Sequence, residues 1–120
     1  MPNAVNVLDT PLQLCCANGG YTREGFCYVP NGDFGNHSVC AIVTEAFLTY
    51  SKQIGNDLST PRPEYAFDGL KPGDKWCLCA ARWEQARLAG CAPKVILKST
   101  NKACLKVIKF EHLKEYACDN

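Results

Sequence analysis

Lys71-Pro72-Gly73-Asp74-Lys75-Trp76-Cys77-Leu78-Cys79-Ala80 is the stretch on which the reading of the fold turns. Pro72-Gly73 suits a tight turn, because proline presets φ and glycine tolerates a positive one. The residues after it alternate as a strand does. Over Lys75 to Ala80 this puts Trp76, Leu78 and Ala80 on one face and Cys77 and Cys79 on the other, with the two sulfurs roughly 6 to 7 Å apart along the strand. Ala81 to Ala89 then suits a helix closed by Gly90, and Lys94 to Lys98 reads as a β-branched strand. Strand, helix, strand in that order favours a parallel right-handed crossover.

Working outward, Val39 to Val43 reads as a short buried strand or helix entry. Thr44 to Ile54 carries apolar residues at 43, 47, 50 and 54, which is helical spacing, with Thr44 as cap and Gly55 as terminator. Residues 9 to 38 are dense in Gly, Asn, Asp and Pro, with Asn18-Gly19-Gly20 and Pro30-Asn31-Gly32-Asp33 as turn signals. Pro61, Pro63, Gly69, Pro72 and Gly73 mark an ordered surface crossing. Thr100 or Asn101 can cap a helix through Val107, and Phe110, Leu113 and Ala117 mark one face of a last helix. The expected fold is α+β: a small mixed sheet with three to four short helices and a loop-rich, cysteine-bearing N-terminal third packed on it, in one domain spanning residues 1–120.

Composition narrows the function classes. The chain has 120 residues, with 13 basic and 12 acidic side chains and a net charge of +1, so no broad basic field exists to hold nucleic acid or an anionic membrane. Neither is expected as a partner, and a monomer is. The longest apolar runs fall far below the ~20 residues that a membrane helix needs. Met1 to Leu8 lacks a basic n-region and an unbroken apolar h-region, which makes a cytoplasmic location the expectation.

The unusual number is nine cysteines. A domain of this size buries enough surface to fold without disulfide staples, and an odd count cannot pair completely within a monomer. For a cytoplasmic chain, thiols, thiolates or metal ligands are the expected states. Cys77 and Cys79 could share a metal or pack as small hydrophobes. His37 and Cys40, three apart at the exit of a Gly-rich loop, could both point at one site, as ligands or as an imidazole acting on a thiol. His112 falls in a Lys/Glu-rich helix that reads as exposed, which leaves His37 as the catalytic imidazole if there is one. Cys15, Cys16 and Cys27 add candidates; vicinal cysteines rarely bridge each other, so at most one of Cys15 and Cys16 is expected to reach a shared site. Arg23, Asn56, Asp57, Asp74, Trp76 and Arg82 are candidate pocket residues, most of them in loops where recognition concentrates. No dinucleotide fingerprint, P-loop, zinc-protease or serine-hydrolase motif occurs.

Several segments resemble domain-of-unknown-function family 2237, small proteins of bacteria and some eukaryotes. They are Asn6-Val7-Leu8 with Pro11-Leu12, Tyr21-Thr22-Arg23-Glu24-Gly25-Phe26-Cys27, His37-Ser38-Val39-Cys40-Ala41, Gly55-Asn56-Asp57-Leu58-Ser59-Thr60-Pro61-Arg62-Pro63-Glu64-Tyr65, and the run from Gly69 to Trp83. The resemblance covers nearly the whole chain and implies a single domain; it implies no activity. It does imply that Cys15, Cys27, Cys40, Cys77, Cys79 and His37 sit on motif positions, whereas Cys91, Cys104 and Cys118 are ordinary thiols of this sequence. Phe67-Asp68-Gly69 departs from the Phe-Pro-Gly of the motif.

Two readings of function follow. In the first, the loop cysteines, His37 and the Cys77/Cys79 strand form a metal site, for zinc or iron, or a reactive-thiol site. In the second, the chain is a non-enzymatic small-molecule or protein binding module whose cysteines only pack in the core.

Overall fold

A computed structural model describes residues 4–119. Its sheet has three strands in the order β2-β1-β3: β1 is Val39–Ile42, β2 is Lys75–Leu78 and β3 is Lys94–Val95. Both outer strands run antiparallel to β1, with Val39 opposite Leu78, Cys40 opposite Cys77 and Ala41 opposite Val95. β2 and β3 therefore point the same way, as the strand-helix-strand order predicts, but β1 lies between them. The expected neighbouring parallel pair does not form.

Period-two alternation gives the sheet two different faces. Val39, Ala41, Leu78 and Val95 enter the main apolar core, while Cys40 and Cys77 point to the opposite side into a second buried cluster. On the core side lie α1 (Glu45–Gln53) and α2 (Ala80–Leu88), with Phe47, Leu48, Trp83 and Ala86 buried, and Leu113 of α3 (Phe110–Glu115) joins the same core. Trp83 is the largest fully buried side chain; its Nε1 donates to the Pro93 carbonyl at 3.1 Å and its ring meets Tyr116 edge-on at 5.3 Å.

Helix ends follow the sequence signals. Thr44 accepts the Phe47 amide through its side chain at the start of α1. At the other end the Gly55 amide reaches Lys52 O and the Asn56 amide reaches Ser51 O, the paired closure that a left-handed glycine permits. The end of α2 repeats this with Gly90 to Arg87 O and Cys91 to Ala86 O, which also explains the half-buried Cys91 against the core.

Three differences from the sequence reading have physical causes. The strand expected over Lys94 to Lys98 lasts two residues, and Leu97–Ser99 is a 3-10 turn instead. The Asp119 carboxylate accepts the Leu97 and Lys98 amides at 2.6 and 3.0 Å, and this contact from the far end of the chain bends the backbone there. The helix after Asn101 is likewise a 3-10 segment, Lys102–Lys106; of the two candidate caps it is Asn101 that accepts the Ala103 amide. The strand expected to reach Ala80 stops at Leu78, because Cys79 already serves as the N-cap of α2.

The N-terminal third contains no regular strand or helix among its described residues. Hydrogen bonds and sulfur hold it in place. Buried Asn6 satisfies both ends of its amide, donating to Thr10 Oγ1 and to the carbonyls of Pro11 and Lys98 and accepting from the Leu8 and Thr10 amides. Asn101 Nδ2 donates to Cys27 O. Disulfides Cys15–Cys40 and Cys27–Cys77 then staple this loop layer to the sheet, closing separations of 25 and 50 residues. In the chain-entropy account each such bridge contributes about 3–4 kcal/mol.

Candidate functional site

The expected single cluster of cysteines and His37 resolves into two sites. The first is the second face of the sheet, where Cys15, Cys27, Cys40 and Cys77 are at most 4 % exposed and Cys16 packs against them. The Sγ atoms of Cys15, Cys27 and Cys77 all lie within 4.8 Å of one another, and Cys40 is bonded to Cys15. The expectation of free thiols or thiolates at these four positions is corrected, since they are paired as disulfides. As expected of a vicinal pair, Cys15 enters the bridge and Cys16 does not. Glycine makes the close approach possible: a Cβ on Gly19 would meet Cys16 Sγ at 2.1 Å, and one on Gly20 would meet Phe26 O at 2.3 Å.

The second site contains His37 and Cys79, neither of which belongs to the sulfur cluster. His37 stands on the turn Asp33–Asn36, closed by the Asn36 amide on Asp33 O. The Asp33 side chain is fully buried and accepts twice from His37, from its amide at 2.9 Å and on Nδ1 at 2.6 Å. A carboxylate on Nδ1 fixes the ring and leaves Nε2 as its free position. Gly35 is needed for this arrangement, because a Cβ there would stand 2.7 Å from the imidazole Cε1. The same turn holds the start of α2: the Ala80 amide, next to Cys79, donates to Asn36 O at 2.9 Å. That bond satisfies one of the orphan donors of a helix end and brings His37 and Cys79 to one place.

His37 and Cys79 line a cavity of about 210 Å³ together with Asn56, Leu58, Trp76, Cys77, Leu78 and Arg82. Asn56 is delivered there by the closure of α1, reinforced by the Ser51 hydroxyl on Asn56 O at 2.6 Å. No hydrogen bond joins Cys79 to His37 among the described residues. On the other side of Trp76 a separate cavity of about 330 Å³ is lined by Cys16, Arg23, Asp74 and the Ala66–Leu70 loop. Five of the six expected pocket residues thus divide: Asn56, Trp76 and Arg82 border the first cavity, Arg23, Asp74 and Trp76 the second. Asp74 also closes the Pro72-Gly73 turn by accepting the Lys71 amide.

Asp57 borders neither cavity. Its carboxylate accepts the hydroxyls and amides of Thr60 and Ser59, which hold it well below the usual carboxylate range, so it builds the turn after Asn56. Asp33, Gly35 and Asn36 hold the candidate site and are not among the residues that the sequence singles out. The available signal was the four-residue spacing of Asp33 and His37 behind a proline-glycine turn.

The free thiols differ in environment. Burial pushes Cys104 up to about 12 and raises Cys16 and Cys91 as well, which keeps all three protonated near neutrality. Cys118 is exposed and donates to Val95 O, and Cys79 faces its cavity. His112, expected to be exposed, is half-buried, and its Nδ1 is enclosed without a hydrogen-bond partner.

The family model for uncharacterised proteins conserved in bacteria, DUF2237, matches residues 5–117. The chain belongs to this family. The description of the DUF2237 family carries no activity. No curated protein matches the chain. Among the described residues of this DUF2237 member, no helix is long and apolar enough to cross a membrane.

Proposed function

We propose that the cavity at the start of α2 is a reactive-thiol site in which Cys79 attacks a small electrophile. The observation that supports this most directly is the buried Asp33 carboxylate on His37 Nδ1, with His37 and Cys79 lining one cavity. In this reading the Cys79 proton passes to His37 Nε2 as the sulfur bonds to a saturated substrate carbon and displaces its leaving group, which departs with the electron pair of the broken bond; Asp33 stabilises the imidazolium that forms. The positive end of the nine-residue α2 supports the anionic sulfur during attack. Arg82 supplies a cation for an anionic group on the substrate, Asn56 a neutral hydrogen-bonding group, and Trp76 an apolar wall. The four buried cysteines have a supporting part, since β2 carries Cys77 and leads directly into Cys79.

The test is alkylation by iodoacetate and iodoacetamide, followed residue by residue by mass spectrometry, with exposed Cys118 as internal reference. Cys79 is expected to react faster than Cys118 by on the order of ten-fold or more, as a positioned base would give. His37→Gln should remove most of that advantage, and Arg82→Gln should slow iodoacetate more than iodoacetamide. A Cys79 rate equal to that of Cys118, or one indifferent to His37→Gln, overturns the proposal. Indifference to His37 would instead favour a binding module that uses the cavity without sulfur chemistry.

A further inference from the structure

The sulfur cluster has a geometry that two disulfides do not by themselves require. Cys40 and Cys77 are direct cross-strand partners. The Cys40 amide donates to Thr100 Oγ1 and its carbonyl accepts from Ile96, so its backbone polar groups face away from β2. Cys40 and Cys77 are therefore a non-hydrogen-bonded pair, the kind whose side chains stand closest. Each nevertheless bonds to a loop cysteine, and the result is four sulfurs gathered in one buried pocket of the fold, from four separate segments. Three of the Sγ atoms already lie within 4.8 Å of one another. A tetrahedral zinc tetrathiolate with Zn–S of about 2.3 Å has sulfurs about 3.8 Å apart, within the spread of those three; Cys40, bonded to Cys15, stands outside the trio and completes the shell once both disulfides are reduced and its side chain turns inward.

We infer that the reduced protein binds one Zn²⁺ through Cys15, Cys27, Cys40 and Cys77, so that a closed metal site and a pair of disulfides are alternative forms of one staple. Each disulfide takes two electrons and two protons from a small dithiol, which becomes a cyclic disulfide. The four thiols then lose their protons to solvent on binding the metal. Cys16 and Ile96 pack against the four sulfurs, and a dication offsets part of the thiolate charge that burial alone would disfavour. No water position is open in a four-sulfur shell, so the metal is structural. It ties the loop layer to the sheet just as the disulfides do. A cell that keeps thiols reduced would hold the zinc form and an oxidising one the disulfide form.

The test is uptake of Zn²⁺, and of Co²⁺ as a spectroscopic probe, by the full chain after reduction with dithiothreitol and removal of the reductant under anaerobic conditions. The expected result is one ion per chain, with the thiolate-to-cobalt and tetrahedral ligand-field bands of a four-sulfur site. Diamide should expel the ion and return the Cys15–Cys40 and Cys27–Cys77 linkages. Cys16→Ser and Cys79→Ser should bind as the parent does, and Cys77→Ser should lose the four-sulfur spectrum. Failure of the reduced parent chain to take up an ion, a measurement independent of any variant's folding, overturns the inference. So does an unchanged spectrum in Cys77→Ser. Neither result bears on the alkylation of Cys79.

Discussion

Gly35 shows how much of the candidate cavity depends on one missing methyl group. Its φ lies outside the left-handed region, so alanine fits the backbone, and the conflict is only with the imidazole 2.7 Å from the would-be Cβ. His37 cannot move aside without stretching the 2.6 Å contact to Asp33. Gly35→Ala is therefore expected to lower the thermal midpoint by a few degrees, because a contact to a buried carboxylate is weakened, and to slow Cys79 alkylation several-fold. A normal alkylation rate in a normally folded Gly35→Ala protein would show that the position of His37 does not govern the thiol. At this scale the sequence exposes His37, Asn56 and Cys79 as candidates, because their residue types carry chemistry. It does not expose Gly35 or the backbone carbonyl of Asn36, whose roles exist only once the chain is folded. Asp57 misleads for the opposite reason: an acid beside a cavity residue looks like recognition, yet its oxygens are spent on Ser59 and Thr60.

At the scale of elements, α2 joins the two halves of the molecule. Its first turn is tied to the His37 loop through Asn36, and its second carries Trp83 into the core. Trp83→Phe keeps the aromatic body but deletes the donor to Pro93 O, leaving a buried carbonyl unpaired beside β3. That loss is expected to cost about 1–3 kcal/mol, read as a lower urea midpoint with an unchanged slope. An unchanged midpoint would mean that the Pro93 contact does not hold α2 to β3. Helix positions are legible here because caps are local: Thr44, Gly55 and Gly90 act within a few residues of where they stand. β3 is not legible in the same way. Its outer edge is taken by the C-terminal segment, with the Cys118 amide on Val95 O, and its end is set by Asp119. A two-residue strand stopped by a carboxylate more than 20 positions away leaves no local pattern.

Over the whole molecule, nine cysteines divide by layer. Four lie between the loop layer and the sheet with Cys16 packed against them, Cys79 lines a cavity at the sheet's edge, Cys91 and Cys104 pack with the main core, and Cys118 is exposed. Alternation along Val39–Ile42 and Lys75–Leu78 already separates an apolar face from a sulfur face, and the loop-rich third is visible from its turn residues. The pairing is not, because four cysteines allow three connectivities and only the fold brings residues 15 and 27 under β1 and β2. The strand reading failed at Cys79, where an expected fifth strand residue became a helix cap and left the cluster. The central division is between the stapling sulfurs and Cys79, the free cysteine that shares a cavity with His37. The most direct test is a peptide map, after brief alkylation, of the protein in its metal-free, oxidised form. The predicted map shows Cys15 linked to Cys40, Cys27 linked to Cys77, and alkyl label on Cys79. A bridge that includes Cys79, or label spread over Cys15, Cys27, Cys40 and Cys77 while Cys79 stays unmodified, would contradict it.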